Sequence, residues 1–314
     1  IMMRHGDIYS VGDRKPDGEI EVKVEPYKSL TQNSRFWKLP IFRGMAAFVE
    51  SLVVGMKCLM YSASFYEEEE EDLKKKEAMT SEERAREEEK RARQDQWLMR
   101  GTVAFSIVIS VALFILLPYF VAGLLRRFTG SETVIALAEA CVRMLLFLAY
   151  LVLISRMNDI QRVCMYHGAA HKCINCVEHG MNLTVENVMK SSREHKRCGT
   201  SFLLFVMIVS ILFFLFIRVP IPWLRVVIRI LLLPVIAGVS YEIIRLAGNS
   251  DNPVVSLLSK PGLALQRLTT REPEEDMVEV AIRAVEAVFD WREYLRENFP
   301  GTQVLPEEEK EAVQ

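Results

Sequence analysis

An excess of basic charge is missing from this chain. Its 314 residues hold 39 Lys and Arg against 41 Asp and Glu, a formal net charge of −2 with a pI near 6.3. A protein that grips a polyanion needs surplus cations, so no nucleic-acid partner is expected. A secreted disulfide framework is missing too. The six cysteines (Cys58, Cys141, Cys164, Cys173, Cys176, Cys198) do not follow such a spacing, and four of them crowd between 164 and 198. There, metal binding competes with plain burial. No charged segment backed by an apolar stretch opens the chain, so no signal peptide is expected. The start on Ile1-Met2-Met3-Arg4 predicts that further residues precede it.

What is abundant is apolar sequence in long blocks. Mean hydropathy is +0.13 although 25% of the residues are charged. The apolar residues must therefore be segregated, as in a membrane protein with polar parts attached. Residues 1–40 read as a small β unit: Pro16-Asp17-Gly18 makes a turn, and Ile20, Val22 and Val24 alternate behind it. The basic and aromatic run Arg35-Phe36-Trp37-Lys38 suits a lipid headgroup boundary. Residues 41–66 are apolar except for Arg43, Glu50 and Lys57, seven apart, which form one narrow polar stripe. That predicts an interfacial amphipathic helix, lying on the membrane or against the spans.

Residues 67–100 read as a solvated charged helix laced with ion pairs, nearly all Glu, Lys, Arg and Ala from Glu67 to Arg93. Residues 101–155 supply two transmembrane helices, the second carrying Glu139 and Arg143, four apart and able to pair inside a bundle. Residues 201–247 supply two more. Residues 248–314 read as a loop, then an amphipathic helix with Val278, Ile282, Val285 and Phe289 on one face, packing on the cytoplasmic domain. Lys and Arg are dense before the first span and number seven in 156–200, against two in 126–132 and Arg218 alone after the third span. The positive-inside rule then puts both termini and the 156–200 segment in the cytoplasm. The fold class expected is a mainly α-helical membrane protein: about four transmembrane helices, a small N-terminal β unit and a cytoplasmic metal-binding helical subdomain.

Four of the five histidines fall in that segment: His167, His171, His179 and His195, with Cys198 three residues on. His167 and His171, in Tyr166-His167-Gly168-Ala169-Ala170-His171-Lys172, share one helix face, the spacing of a zinc-binding pair. Three arrangements compete. The pair holds a catalytic metal with a third ligand and an open position; or His167, His171, His195 and Cys198 close a structural site; or Cys173, Cys176, His195 and Cys198 form a zinc ribbon. The bland alternative is loop histidines and small buried thiols.

The motifs then become recognisable. Met2-Met3-Arg4, R-K-P-D-G at 14–18, L-T-V-E-N at 183–187, H-K-R-C-G-T-S-F at 195–202, S-Y-E at 240–242 and Q-R-L-T-T-R-E-P at 266–273 cover nearly the whole chain. Together they resemble the YqhQ-like family of bacterial integral membrane proteins, of unknown function and described as predicted metal-dependent enzymes. The family's loop motif looks like Y-H-G-A-E-H-K, an H-x-x-E-H, and this chain departs from it at Ala170. The family also carries a Gly-rich stretch ahead of M-M-R that is absent here. In H-x-x-E-H enzymes the histidines hold zinc and the glutamate moves the proton of bound water. Ala170 therefore stands where the general base belongs, by engineering or in a naturally inactive paralogue.

The resemblance implies a zinc-dependent hydrolase, a peptidase by analogy, in the bacterial inner membrane. Its partners would be membrane lipids and a membrane-associated protein or lipid substrate. A lipid or isoprenoid hydrolase fits the motif equally, and a non-enzymatic scaffold or adaptor with structural zinc is the alternative. Candidates for the remaining metal ligand are, in order, His195, Glu242, Cys198 and Glu178. Glu178 lies about 10 Å along the helix from the pair, and Cys173 and Cys176 are outside the shared pattern.

Overall fold

The expected N-terminal β unit is present in the computed structural model, which describes residues 1–29, 35–65, 81–196, 198–217, 219, 221–248 and 252–306. Strands β1 (Met2–His5), β2 (Ile8–Arg14) and β3 (Ile20–Pro26) form an antiparallel meander in that order. Gly18, at φ +92°, makes the turn into β3. The alternating Ile20, Val22 and Val24 do form a strand, but an edge strand, with Val24 47% exposed. The buried strand is the central β2, through Tyr9, Ser10 and Val11.

The chain divides into two units: Ile1–Leu59, Leu151–Val206 and Ala237–Gln314 form one, Met60–Tyr150 and Met207–Ile236 the other. Among the described residues the α-helices, in chain order, are α1 (Phe42–Ser64), α2 (Ser81–Val111), α3 (Leu117–Gly123), α4 (Glu132–Ile154), α5 (Asn158–Glu178) and α6 (Val185–Lys190). They continue with α7 (Gly199–Phe216), α8 (Pro222–Gly248), α9 (Pro253–Thr269), α10 (Glu275–Glu286) and α11 (Trp291–Asn298).

In the first unit the core forms between α5 and α10. Ala169, Cys173, Cys176 and Val177 of α5 pack with Val278, Ala281, Ala284 and Val285 of α10, and Trp291 and Leu295 of α11 close it. Each large apolar side chain so buried contributes roughly 1.5–3 kcal/mol. The sheet covers the other side of α10. Ser10 Oγ donates to the Ala284 carbonyl at 2.6 Å, and a Cβ on Gly12 would stand 3.1 Å from that of Ala284. The amphipathic helix expected near the C-terminus is thus α10, with Val278 and Val285 in the core; it ends at Glu286, so Phe289 lies beyond it. Residues 253–269, expected as loop, are helical: Pro253 heads α9, where a missing N–H does no harm.

Among the described residues, five helices are long and apolar enough to cross a membrane: Phe42–Ser64, Trp97–Arg127, Glu132–Ile154, Gly199–Phe216 and Trp223–Leu246. The chain is a membrane protein. The expectation was about four, because the stripe on 41–66 argued for an interfacial helix; α1 also has the length and composition of a span. Two of its stripe charges are partnered within the protein. Arg43 pairs with Glu242, and Glu50 accepts from Tyr27 Oη and Ser29 Oγ. The third, Lys57, is exposed, amid a largely apolar surface of Val49, Leu52, Val53, Met56, Leu59 and Met60.

In the second unit, α2 continues unbroken from charged into apolar sequence; of the charged helix expected over 67–100, residues 67–80 lie outside the described residues. Pro118 has no N–H to offer the Phe114 carbonyl four residues back, and Ala112–Leu116 take a π-helical turn. That carbonyl accepts instead from Arg143 Nε of α4 at 3.1 Å. Arg143 Nη2 also reaches Glu139 at 2.5 Å, the pairing expected from their spacing.

Candidate metal centre

Helix α5 carries the histidine pair and ends where Gly180 adopts φ +76°, a left-handed residue that only glycine takes without strain. His167 and His171 stack edge to face with ring centroids 4.4 Å apart. Each ring is held from behind by a backbone carbonyl: His167 Nδ1 donates to Thr269 at 3.1 Å, His171 Nδ1 to Arg193 at 2.7 Å. A carbonyl only accepts, so both Nδ1 atoms carry the proton and both Nε2 atoms are left to face a ligand. Metal-binding histidines are oriented in this way.

Local sequence explains how those carbonyls arrive. A Cβ on Gly168 would sit 2.1 Å from the Arg271 carbonyl, so only glycine lets the 269–271 segment run against α5, where Arg271 N also bonds to the Cys164 carbonyl. On the opposite flank, Lys172 Nζ donates to the carbonyls of Met189 and Ser191, and Asn175 Nδ2 to those of Ser192 and Glu194. Lys172 is 3% exposed and ion-pairs with Glu272 at 2.8 Å. These two side chains fix the loop that presents the Arg193 carbonyl.

Cys198, one residue ahead of α7, completes the group. Its Sγ lies 3.4 Å from His167 Nε2, and the donor atoms of His167, His171 and Cys198 all fall within 4.8 Å of one another. Thr200 N–H donates to the same sulfur. Burial pushes the Cys198 thiol up, but hydrogen bonds from His167 and His171, and their charge, bring it down to about 5. For His167, burial pulls down and the Cys198 partner raises, with the balance upward.

The other candidates are engaged elsewhere. His195, ranked first from sequence, has its ring centroid 5.9 Å from that of His171, and its Nε2 meets Glu178 Oε2 at 3.1 Å. Glu178 lies too far along the helix for the pair, and the His195 ring fills that distance. Glu242 is bound by Arg43. The closed set with His195 as fourth ligand is therefore not what the geometry assembles. Nor is the ribbon: Cys173 and Cys176 are fully buried in the core, and Cys176 Sγ donates to the Asn182 carbonyl at 3.3 Å. Burial pushes both thiols up, that of Cys176 to about 11. His179 stays at the end of α5, on the Asn175 carbonyl. Ala170 packs at the edge of the α5–α10 core and offers no polar atom.

Gln266 escaped the sequence reading. Fully buried, it accepts from His195 N–H through Oε1, while its Nε2 donates to the His195 carbonyl and to Ser201 Oγ. It ties α9 to the segment leading into Cys198. A polar residue in Q-R-L-T-T was the available signal, but nothing local gives it a partner 71 residues away.

The model of the family described as a protein of unknown function (DUF1385) matches residues 39–291, and the chain belongs to that family. A relative is the uncharacterized protein YqhQ of Bacillus subtilis (strain 168). It is 37% identical over 278 residues, spanning 88% of this chain and 85% of that protein. No solved structure matches the chain.

Proposed function

We propose that the chain is a zinc-binding membrane protein of the hydrolase type, a peptidase by analogy, with His167, His171 and Cys198 as metal ligands. One observation carries this: both histidines spend Nδ1 on fixed carbonyls and turn Nε2 toward a shared thiolate. The donor set fits the metal, since two imidazoles and a thiolate suit zinc, and three protein ligands are what catalytic zinc sites use. Zinc bound there would supply Lewis acidity and an activated water. Thr269 and Arg193 hold the rings, and Thr200 N–H helps keep Cys198 as thiolate. Cys198 leads directly into the apolar α7, so the substrate class is a membrane-associated peptide or a lipid. Ala170 leaves the centre without its carboxylate base, and that same residue favours the second reading, a scaffold with structural zinc.

The arrangement in the membrane is four crossings in the bacterial inner membrane, with both termini and the centre cytoplasmic. This reading is supported by the direct contact of the sheet with α10 through Ser10 and Ala284, since two elements packed together on one side of a membrane are separated by an even number of crossings. Helix α1 is the one that lies in plane. It has the lowest hydropathy of the five, Tyr27 and Ser29 grip its middle at Glu50, and its Cys58 lies within electrostatic reach of Asp13 and Glu25 of the sheet. The loop-charge asymmetry supports the cytoplasmic side.

The test is Ala170→Glu. A positioned acid/base is worth roughly 10²–10⁴ in rate, so the variant should hydrolyse a member of a peptide and lipid panel that the parent leaves intact. His167→Ala in that variant should abolish the gain. Equal inactivity of parent and Glu variant across the panel favours the scaffold.

A further inference from the structure

In the second unit, and with no part in the centre above, three charge-bearing side chains are buried among apolar helices. Glu139 and Arg143 of α4 and Arg229 of α8 are 6%, 3% and 6% exposed. Glu139 takes Arg143 Nη2 at 2.5 Å on Oε1 and Arg229 Nη2 at 2.9 Å on Oε2. Two guanidiniums thus share one carboxylate, which leaves one positive charge uncompensated where the surroundings cannot solvate it. Partial relief comes from the Phe114 carbonyl on Arg143 and from the Phe214 ring, 4.8 Å from Arg143 and 4.9 Å from Arg229. Neither is an anion. Arg229 Nη1 also approaches Glu139 Oε1 at 2.6 Å, yet among the described residues it completes no hydrogen bond.

The three charges line a cavity of about 10 Å³, opened by the small side chains of Ala136 and Ala140 and walled by Phe214. That is space for one water-sized particle. We infer that this cavity is a binding site for a single monatomic anion, chloride being the abundant one, which balances the second guanidinium. The size admits a halide and excludes phosphate, a lipid headgroup or a carboxylate. Pro118 belongs to the same device: it offers the Phe114 carbonyl no N–H four residues on, that carbonyl takes Arg143 Nε, and Arg143 Nη2 is held on Glu139 at the cavity.

The experiment is thermal unfolding of the full chain in detergent, in sodium chloride against sodium gluconate at equal ionic strength. Chloride should raise the melting temperature in a saturable way, and gluconate should not. Arg229→Gln leaves a one-to-one pair of Glu139 and Arg143 and should abolish the difference; Arg143→Gln does the same from the other side if the first variant fails to fold. Identical curves in the two salts, or a chloride response that survives in a folded neutralising variant, overturn the site. A phosphate response equal to that of chloride overturns the monatomic assignment.

Discussion

At His167 and His171 the ring nitrogen facing away from the site decides what the facing one can do. With Nδ1 tied to Thr269 and Arg193, neither ring can rotate or change tautomer without losing a half-buried hydrogen bond. Cys198 answers electrostatically, and in metal-free protein this has a sign. Its folded-state pKa, about 5, is far below the ordinary thiol value of 9, so the thiolate contributes stability above 9 that is lost as pH falls through 5. His167 is raised, so its contribution is present below 6.5 and fades as pH climbs through its folded value. The stability difference between parent and Cys198→Ser, measured by thermal melts without metal, should therefore grow from about pH 5 to about pH 7. A difference constant over that range contradicts the thiolate–imidazolium pairing.

Helix α1 shows what periodicity can and cannot say. The seven-residue recurrence of Arg43, Glu50 and Lys57 located one polar stripe; two of its charges face protein partners, Glu242 for Arg43 and Tyr27 for Glu50, while Lys57 is exposed. Composition alone still permits a crossing. The proposed in-plane reading rests on the contact between sheet and α10, which no local pattern holds. Reporter tags at the N-terminus and at Ser81, flanking α1, should both report cytoplasm, and one at Gly130 the outside. A tag at Ser81 on the opposite side from the N-terminus would make α1 a span. In the same way α5 was legible through its i, i+4 histidines and Glu139–Arg143 through theirs, because helical neighbours are written in the spacing. The helix at 253–269 was not: the segment reads as loop, and its packing against Ser201 at Gly262 is long-range.

Across the whole molecule, the centre is assembled from α5, the 191–198 segment and the end of α9, stretches up to 102 residues apart in contact. Sequence could nominate the histidine pair but could only rank His195, Glu242, Cys198 and Glu178, since ranking them requires knowing which segments meet. Gly168 and Gln266 decide that meeting, the first by permitting close approach, the second by clamping the His195 backbone. The metal centre is the claim on which the proposed chemistry depends, and elemental analysis of purified full chain tests it most directly. About one zinc per chain is expected, retained by Glu242→Gln and by His195→Ala, and lost from Cys198→Ala and from the double variant His167→Ala, His171→Ala. Full retention of zinc by the double variant contradicts the account.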